Sequence, residues 1–161
     1  MVNGGNQVSI EVGEKAPIFT LPADGGETIS LEDYKGKKVV VYFYPKDSTP
    51  GCTTEAKDFS SLITEFEAAD TIVLGMSKDS VRRHDNFIAK QDLKVRLVSD
   101  ESGKTIEDYG VWVQKKLYGR EYMGIERATF LIDEKGIVRQ VWHKVKVKGH
   151  AEAVLAAAQA L

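Results

Sequence analysis

The run KVVVYFY, residues 38–44, stopped by Pro45, limits what this chain can fold into more than any other stretch. Its residues are mostly β-branched or aromatic, and after the leading lysine none carries a charge. A strand with one wet face would alternate polar and apolar residues. The unbroken run therefore predicts a central strand covered on both faces. Such a strand needs a sheet around it and a layer on each side.

The rest of the sequence supplies them. After the turn-rich KDSTPG, Phe59, Leu62, Ile63 and Phe66 recur at three- and four-residue steps and predict one helix. Residues 71–77 read as a second strand, and residues 80–91 as a second helix with Val81, Phe87 and Ile88 on its apolar face. A short strand over 95–99 and a short helix over 105–109, ended by Gly110, come next. Residues 128–133 and 137–142 flank Glu134-Lys135-Gly136 and predict a hairpin. Gly149 precedes a closing helix over 150–161. That order predicts an α/β fold, a central mixed β-sheet flanked by helices on both faces, in the thioredoxin-like layout. A layout alone names no reaction.

The 161 residues suit one domain, 1–161, with residues 1–8 expected to be a loose tail. A net charge of -2 argues against a nucleic-acid partner. No stretch approaches the ~18 consecutive apolar residues of a membrane span. The first residues lack both a basic and an apolar leader segment, and a single cysteine allows no internal disulfide, so a cytoplasmic protein is expected. No apolar stripe demands a partner, and a monomer is expected.

That one cysteine, Cys52, follows Thr49-Pro50-Gly51. Thr49 suits an N-cap and Pro50 the first helical position, which makes Cys52 the third residue of a helix. The Thr49 hydroxyl is then expected to reach the Cys52 N–H. Unpaired N–H groups and the helix dipole favour an anion there, a setting that activates a thiol. The bland alternative is a small buried hydrophobe, but the flanking Pro, Gly, Thr, Thr and Glu form no apolar face. With Glu55 three residues on, a Cys-x-x-Cys dithiol is absent. His84, in the charged RRHD, reads as solvated. His143 and His150 bracket KVKVKG, which reads as a strand edge with exposed lysines and no metal site.

Pro45-Lys-Asp-Ser-Thr49-Pro-Gly-Cys52 matches the Pro-x-x-x-Thr-x-x-Cys signature of the peroxiredoxins, thiol peroxidases. From about Val12 onward, FTLPADGGETISLEDYKGKKVVVYFYPKDSTPGCTTEA, VWVQKKLYGREYMGIERATFLIDEKG and VKVKGHAEAVL resemble their bacterioferritin comigratory protein, or PrxQ, branch. The resemblance implies reduction of hydrogen peroxide and organic hydroperoxides without metal or cofactor. It implies that Cys52 attacks the peroxide and becomes a sulfenic acid. It also implies that Thr49 hydrogen-bonds the substrate, Pro45 screens the pocket, and Arg127 joins from a distant strand. Glu55 is a candidate for orienting the pocket. Trp112 reads as a core aromatic before a substrate contact.

Many members of that branch carry a second cysteine five residues after the first; here that residue is Lys57. The following helix has none either. A one-cysteine enzyme is expected, restored by an external thiol: thioredoxin, glutaredoxin with glutathione, or another small thiol. The alternative is a redox sensor whose oxidised Cys52 is read by a partner.

Overall fold

The computed structural model describes residues 10–161; the tail expected over residues 1–8 lies outside them. A small antiparallel ribbon comes first, β1 (Thr20–Pro22) with β2 (Thr28–Ser30). The apolar run forms β3 (Lys38–Phe43), whose six residues are all buried. Then follow α1 (Pro50–Ser61), α2 (Ile63–Ala68), β4 (Thr71–Ser77), α3 (Val81–Gln91), β5 (Arg96–Ser99) and α4 (Lys104–Asp108). A hairpin of β6 (Trp112–Leu117) and β7 (Arg120–Ile125) leads to β8 (Ala128–Ile132), β9 (Val138–Trp142) and α5 (His150–Ala160).

The main sheet has the order β5-β4-β3-β8-β9, with β3 parallel to β4, β4 parallel to β5, and β8 antiparallel to both β3 and β9. This is the mixed sheet and thioredoxin-like layout expected. The steps from β3 to β4 and from β4 to β5 run in one direction. Right-handed crossovers therefore put α1, α2 and α3 on the same face, where α5 joins them. The other face is covered by α4, the N-terminal segment and the start of the β6–β7 hairpin.

Alternation along β3 divides the core. Val39, Val41 and Phe43 pack with Ile106, Tyr109 and Phe130, while Val40, Tyr42 and Tyr44 pack with Phe59, Phe66, Phe87 and Val154. Two details explain residues that look misplaced. Lys38 opens an apolar strand because its Nζ donates to the Ala158 carbonyl at 2.7 Å, in the last turn of α5, where the Leu161 N–H is a more distant donor at 3.3 Å. Gly75 interrupts β4 because a Cβ there would lie 2.7 Å from the Tyr42 ring.

Two expectations are corrected and one hairpin is new. The first long helix is two, broken at Leu62 (φ -104, ψ 8). The Ser61 hydroxyl bonds back to the Asp58 carbonyl, a local bond that competes with the helix ladder. Phe59 and Phe66 still share one buried face, their rings 5.9 Å apart. The β6–β7 hairpin was not expected; its turn, Tyr118-Gly119, has positive φ at both residues, as a type I′ hairpin turn requires. KVKVKG is no strand edge, since β9 ends at Trp142.

Candidate active site

Sheet register decides which residues meet. Phe43 of β3 pairs with Ala128 of β8, so the next step in the ladder sets Tyr44 beside Arg127. Tyr42 and Tyr44 face the helices, and the same parity directs Arg127 to that face, where α1 begins. In this way residues 75 positions apart come into contact. The Arg127 Nη2 lies 3.4 Å from Cys52 Sγ, and Nη1 donates to Glu55 Oε1 at 2.6 Å. One fork thus holds a sulfur and a carboxylate that lie three residues apart on α1.

Gly51 makes room for this. A Cβ at that position would sit 3.1 Å from Arg127 Nη2, so the guanidinium approaches over bare backbone. The sequence alone did not single out Gly51.

Cys52 is buried, 2% exposed, within the cluster that contains Tyr42, Tyr44 and Phe59. The immediate flanks concealed this, but the spacing of Cys52, Ala56 and Phe59 marks one helical face, and all three are buried. The sulfur is therefore out of bulk water yet in contact with a cation. Removal from water strengthens every charge interaction made on it.

Thr49 is the N-cap of α1 through its backbone: the Thr53 N–H donates to the Thr49 carbonyl at 2.8 Å. The expected side-chain cap is absent. The hydroxyl donates instead to the Lys46 carbonyl at 2.9 Å, which leaves its lone pairs free to accept. Pro45 and Thr49 are both half-buried in the segment between β3 and α1.

Glu55 is 1% exposed, and its Oε2 has no partner among the described residues. Burial pushes its carboxyl up to about 7, against the pull of Arg127. Arg127 is also felt on the other side. His150, bonded through Nε2 to the Thr129 hydroxyl at 2.8 Å, is lowered to about 4 by burial and by that guanidinium.

His84, expected to be solvated, is a further correction. It is 0% exposed, with Nδ1 2.7 Å from Asp47 Oδ2 and Nε2 3.0 Å from the Val98 carbonyl. Asp47 Oδ1 accepts from the Tyr44 hydroxyl at 2.5 Å. The loop between β3 and α1 is thereby pinned to α3 and β5. Trp112 is half-buried with Lys78 Nζ 4.7 Å from its ring centre, a cation–π contact beside the core.

A model of the AhpC/TSA family matches residues 12–141. The chain belongs to that family. Peroxiredoxin Bcp of Bacillus subtilis is 50% identical over 148 residues, which are 92% of this chain and 94% of the relative. The solved Xanthomonas campestris bacterioferritin comigratory protein, described for its alkyl peroxide reduction activity, is 49% identical with a TM-score of 0.84. The match covers 88% of this chain and 90% of that one. Xylella fastidiosa PrxQ gives a TM-score of 0.90 at 39% identity, over 95% of this chain and 98% of its own. The protein is a peroxiredoxin of the Bcp/PrxQ branch, a thiol-dependent peroxidase and so an oxidoreductase. Peroxiredoxins consume a peroxide at the expense of a thiol reductant, and this chain has a single cysteine, Cys52.

Proposed function

We propose that Cys52 is the peroxide-reactive sulfur, acting on hydrogen peroxide and organic hydroperoxides. The observation that carries this is the 3.4 Å contact between Arg127 Nη2 and Cys52 Sγ at the start of α1. A guanidinium and the unpaired N–H groups of a first helical turn both favour a sulfur anion. The thiolate attacks one peroxide oxygen; the S–O bond forms as the O–O bond breaks. The sulfur loses two electrons, and the second oxygen leaves with a proton as water or an alcohol.

Charge develops on that leaving oxygen, and Arg127 is within reach of it. Thr49, its own proton committed to Lys46, accepts the hydrogen bond of the peroxide O–H and orients the substrate. Pro45 closes the mouth against water. Glu55 fixes the guanidinium by its 2.6 Å ion pair.

With no second cysteine, the sulfenic acid is reduced by an external thiol, thioredoxin, glutaredoxin with glutathione or another small thiol, through a mixed disulfide. The two apolar clusters lie on the two faces of one sheet, which supports a single domain, proposed to act as a monomer. Among the described residues no helix is long and apolar enough to cross a membrane, and the lone thiol favours a cytoplasmic setting.

The test is turnover. Supplied with a thiol, the protein should consume many equivalents of hydrogen peroxide, and a sulfenic-acid probe should label Cys52 after one equivalent. Peroxide loss that halts after one equivalent would mark a sensor instead, and no labelling at all would remove Cys52 from the chemistry.

A further inference from the structure

Between β9 and α5 runs a groove of about 490 Å³ lined by Trp142, Lys144, Lys146, Lys148, Gly149 and His150. That volume falls in the range of small-molecule sites. Lys144, Lys146 and Lys148 are all exposed, while Val145 and Val147 between them are half-buried and anchor the segment. Lysines that pair with carboxylates are Lys37, Lys94 and Lys104. Among the described residues none of the three groove lysines does. The carboxylate beside them, Glu126, is occupied: its Oε2 bonds His143 Nδ1 at 2.7 Å and the Lys144 N–H at 3.1 Å. The second bond holds Lys144 in the left-handed region, at φ 48, a conformation that costs a non-glycine residue free energy.

Hydrogen bonds tie the groove to the strand that carries Arg127. The Val145 N–H donates to the Arg127 carbonyl at 2.9 Å, and His150 in the groove wall bonds Thr129, two residues after Arg127. His150 is neutral at ordinary pH, held down to about 4 by burial and Arg127, so the positive field in the groove is that of the lysines.

We propose that this groove receives the reducing thiol, and that the thiol is a small molecule bearing carboxylates. The inference rests on the reading of Cys52 as the peroxide-reactive sulfur. Three unpaired ammonium groups raise the local concentration of an anionic thiol and do nothing for a neutral one. The docked thiol attacks the sulfenic sulfur of Cys52; an S–S bond forms, the S–O bond breaks, and the hydroxyl leaves with the thiol proton as water. A second thiol displaces Cys52 from that mixed disulfide. Cys52 recovers two electrons, its thiol is restored, and the two small thiols depart as one disulfide.

The experiment oxidises the full chain with one equivalent of hydrogen peroxide. It then mixes the product with glutathione, which carries two carboxylates and one ammonium, or with neutral 2-mercaptoethanol. The rate ratio of glutathione to 2-mercaptoethanol is expected to fall as salt rises. It should also fall about tenfold in Lys146→Gln/Lys148→Gln. A ratio indifferent to both salt and substitution overturns the inference while leaving the peroxidase reading intact. Failure of wild-type protein to form a sulfenic acid would overturn both. The salt series needs no variant, so a misfolded double mutant does not shield the proposal.

Discussion

Arg127 touches a sulfur through one nitrogen and a nearly dry carboxylate through the other, and the geometry of its fork is what allows both. An ammonium has no such fork. Arg127→Lys should slow the reaction of Cys52 with hydrogen peroxide by about a hundredfold, read as thiol loss in single turnover. Gly51→Ala should slow it too, by less, because its Cβ displaces Nη2 without removing it. Glu55 sets a pH dependence of stability. Burial pushes its carboxyl up from 4.5 to about 7 in the folded chain, against the pull of Arg127. Between those values the folded state holds a proton that the unfolded state has released, so stability falls as pH rises through that window. Denaturation midpoints of wild type should therefore drop relative to Glu55→Gln between pH 5 and pH 8; parallel profiles would refute this. At this scale the sequence was uneven. The spacing of Thr49, Pro50 and Cys52 exposes a helix start, whereas Arg127 is visible only through the family resemblance. Nothing local in GIERATFLID tells which face of which strand it occupies.

The elements around the site are tied together by buried polar groups. Both His84 nitrogens face acceptors, Asp47 Oδ2 and the Val98 carbonyl, an arrangement that calls for the doubly protonated ring. Burial pulls His84 down, but the hydrogen bond and charge of Asp47 outweigh it and the net shift is upward. A raised folded value contributes stability that is whole below the unfolded value near 6.5 and is lost as pH climbs through the folded one. His84→Ala should cost about 3 kcal/mol below pH 6, since it strands the Asp47 charge, and less at pH 9. Urea denaturation at the two pH values measures it; an equal loss at both would contradict the ion pair. The histidine was misread from its charged neighbours, yet the helical spacing of His84, Phe87 and Ile88 puts all three on one face. Helix period, not local charge, was the better guide. The break at Leu62 and the turn at Tyr118-Gly119 had weaker signals. The first hinges on a serine bonding its own backbone. In the second, most residues of β6 and β7 are polar or exposed, so no apolar alternation announces the strands.

For the whole molecule, the unbroken apolar run of β3 and, after it, β4, α3, β5, α4, β8, β9 and α5 were legible because burial and turn residues leave a mark in sequence. The meeting of α1 with the start of β8 was not, because register belongs to the sheet and not to either segment. The proposed function depends on that meeting: a thiol at one helix end is touched by a guanidinium delivered 75 positions later. The most direct test is the second-order rate of Cys52 oxidation by hydrogen peroxide, followed as thiol loss in wild type, Thr49→Val and Arg127→Ala. The account predicts a wild-type rate at least about a hundredfold above that of free cysteine, and a large fall in both variants. A wild-type rate equal to that of free cysteine, or one untouched by either substitution, would contradict it.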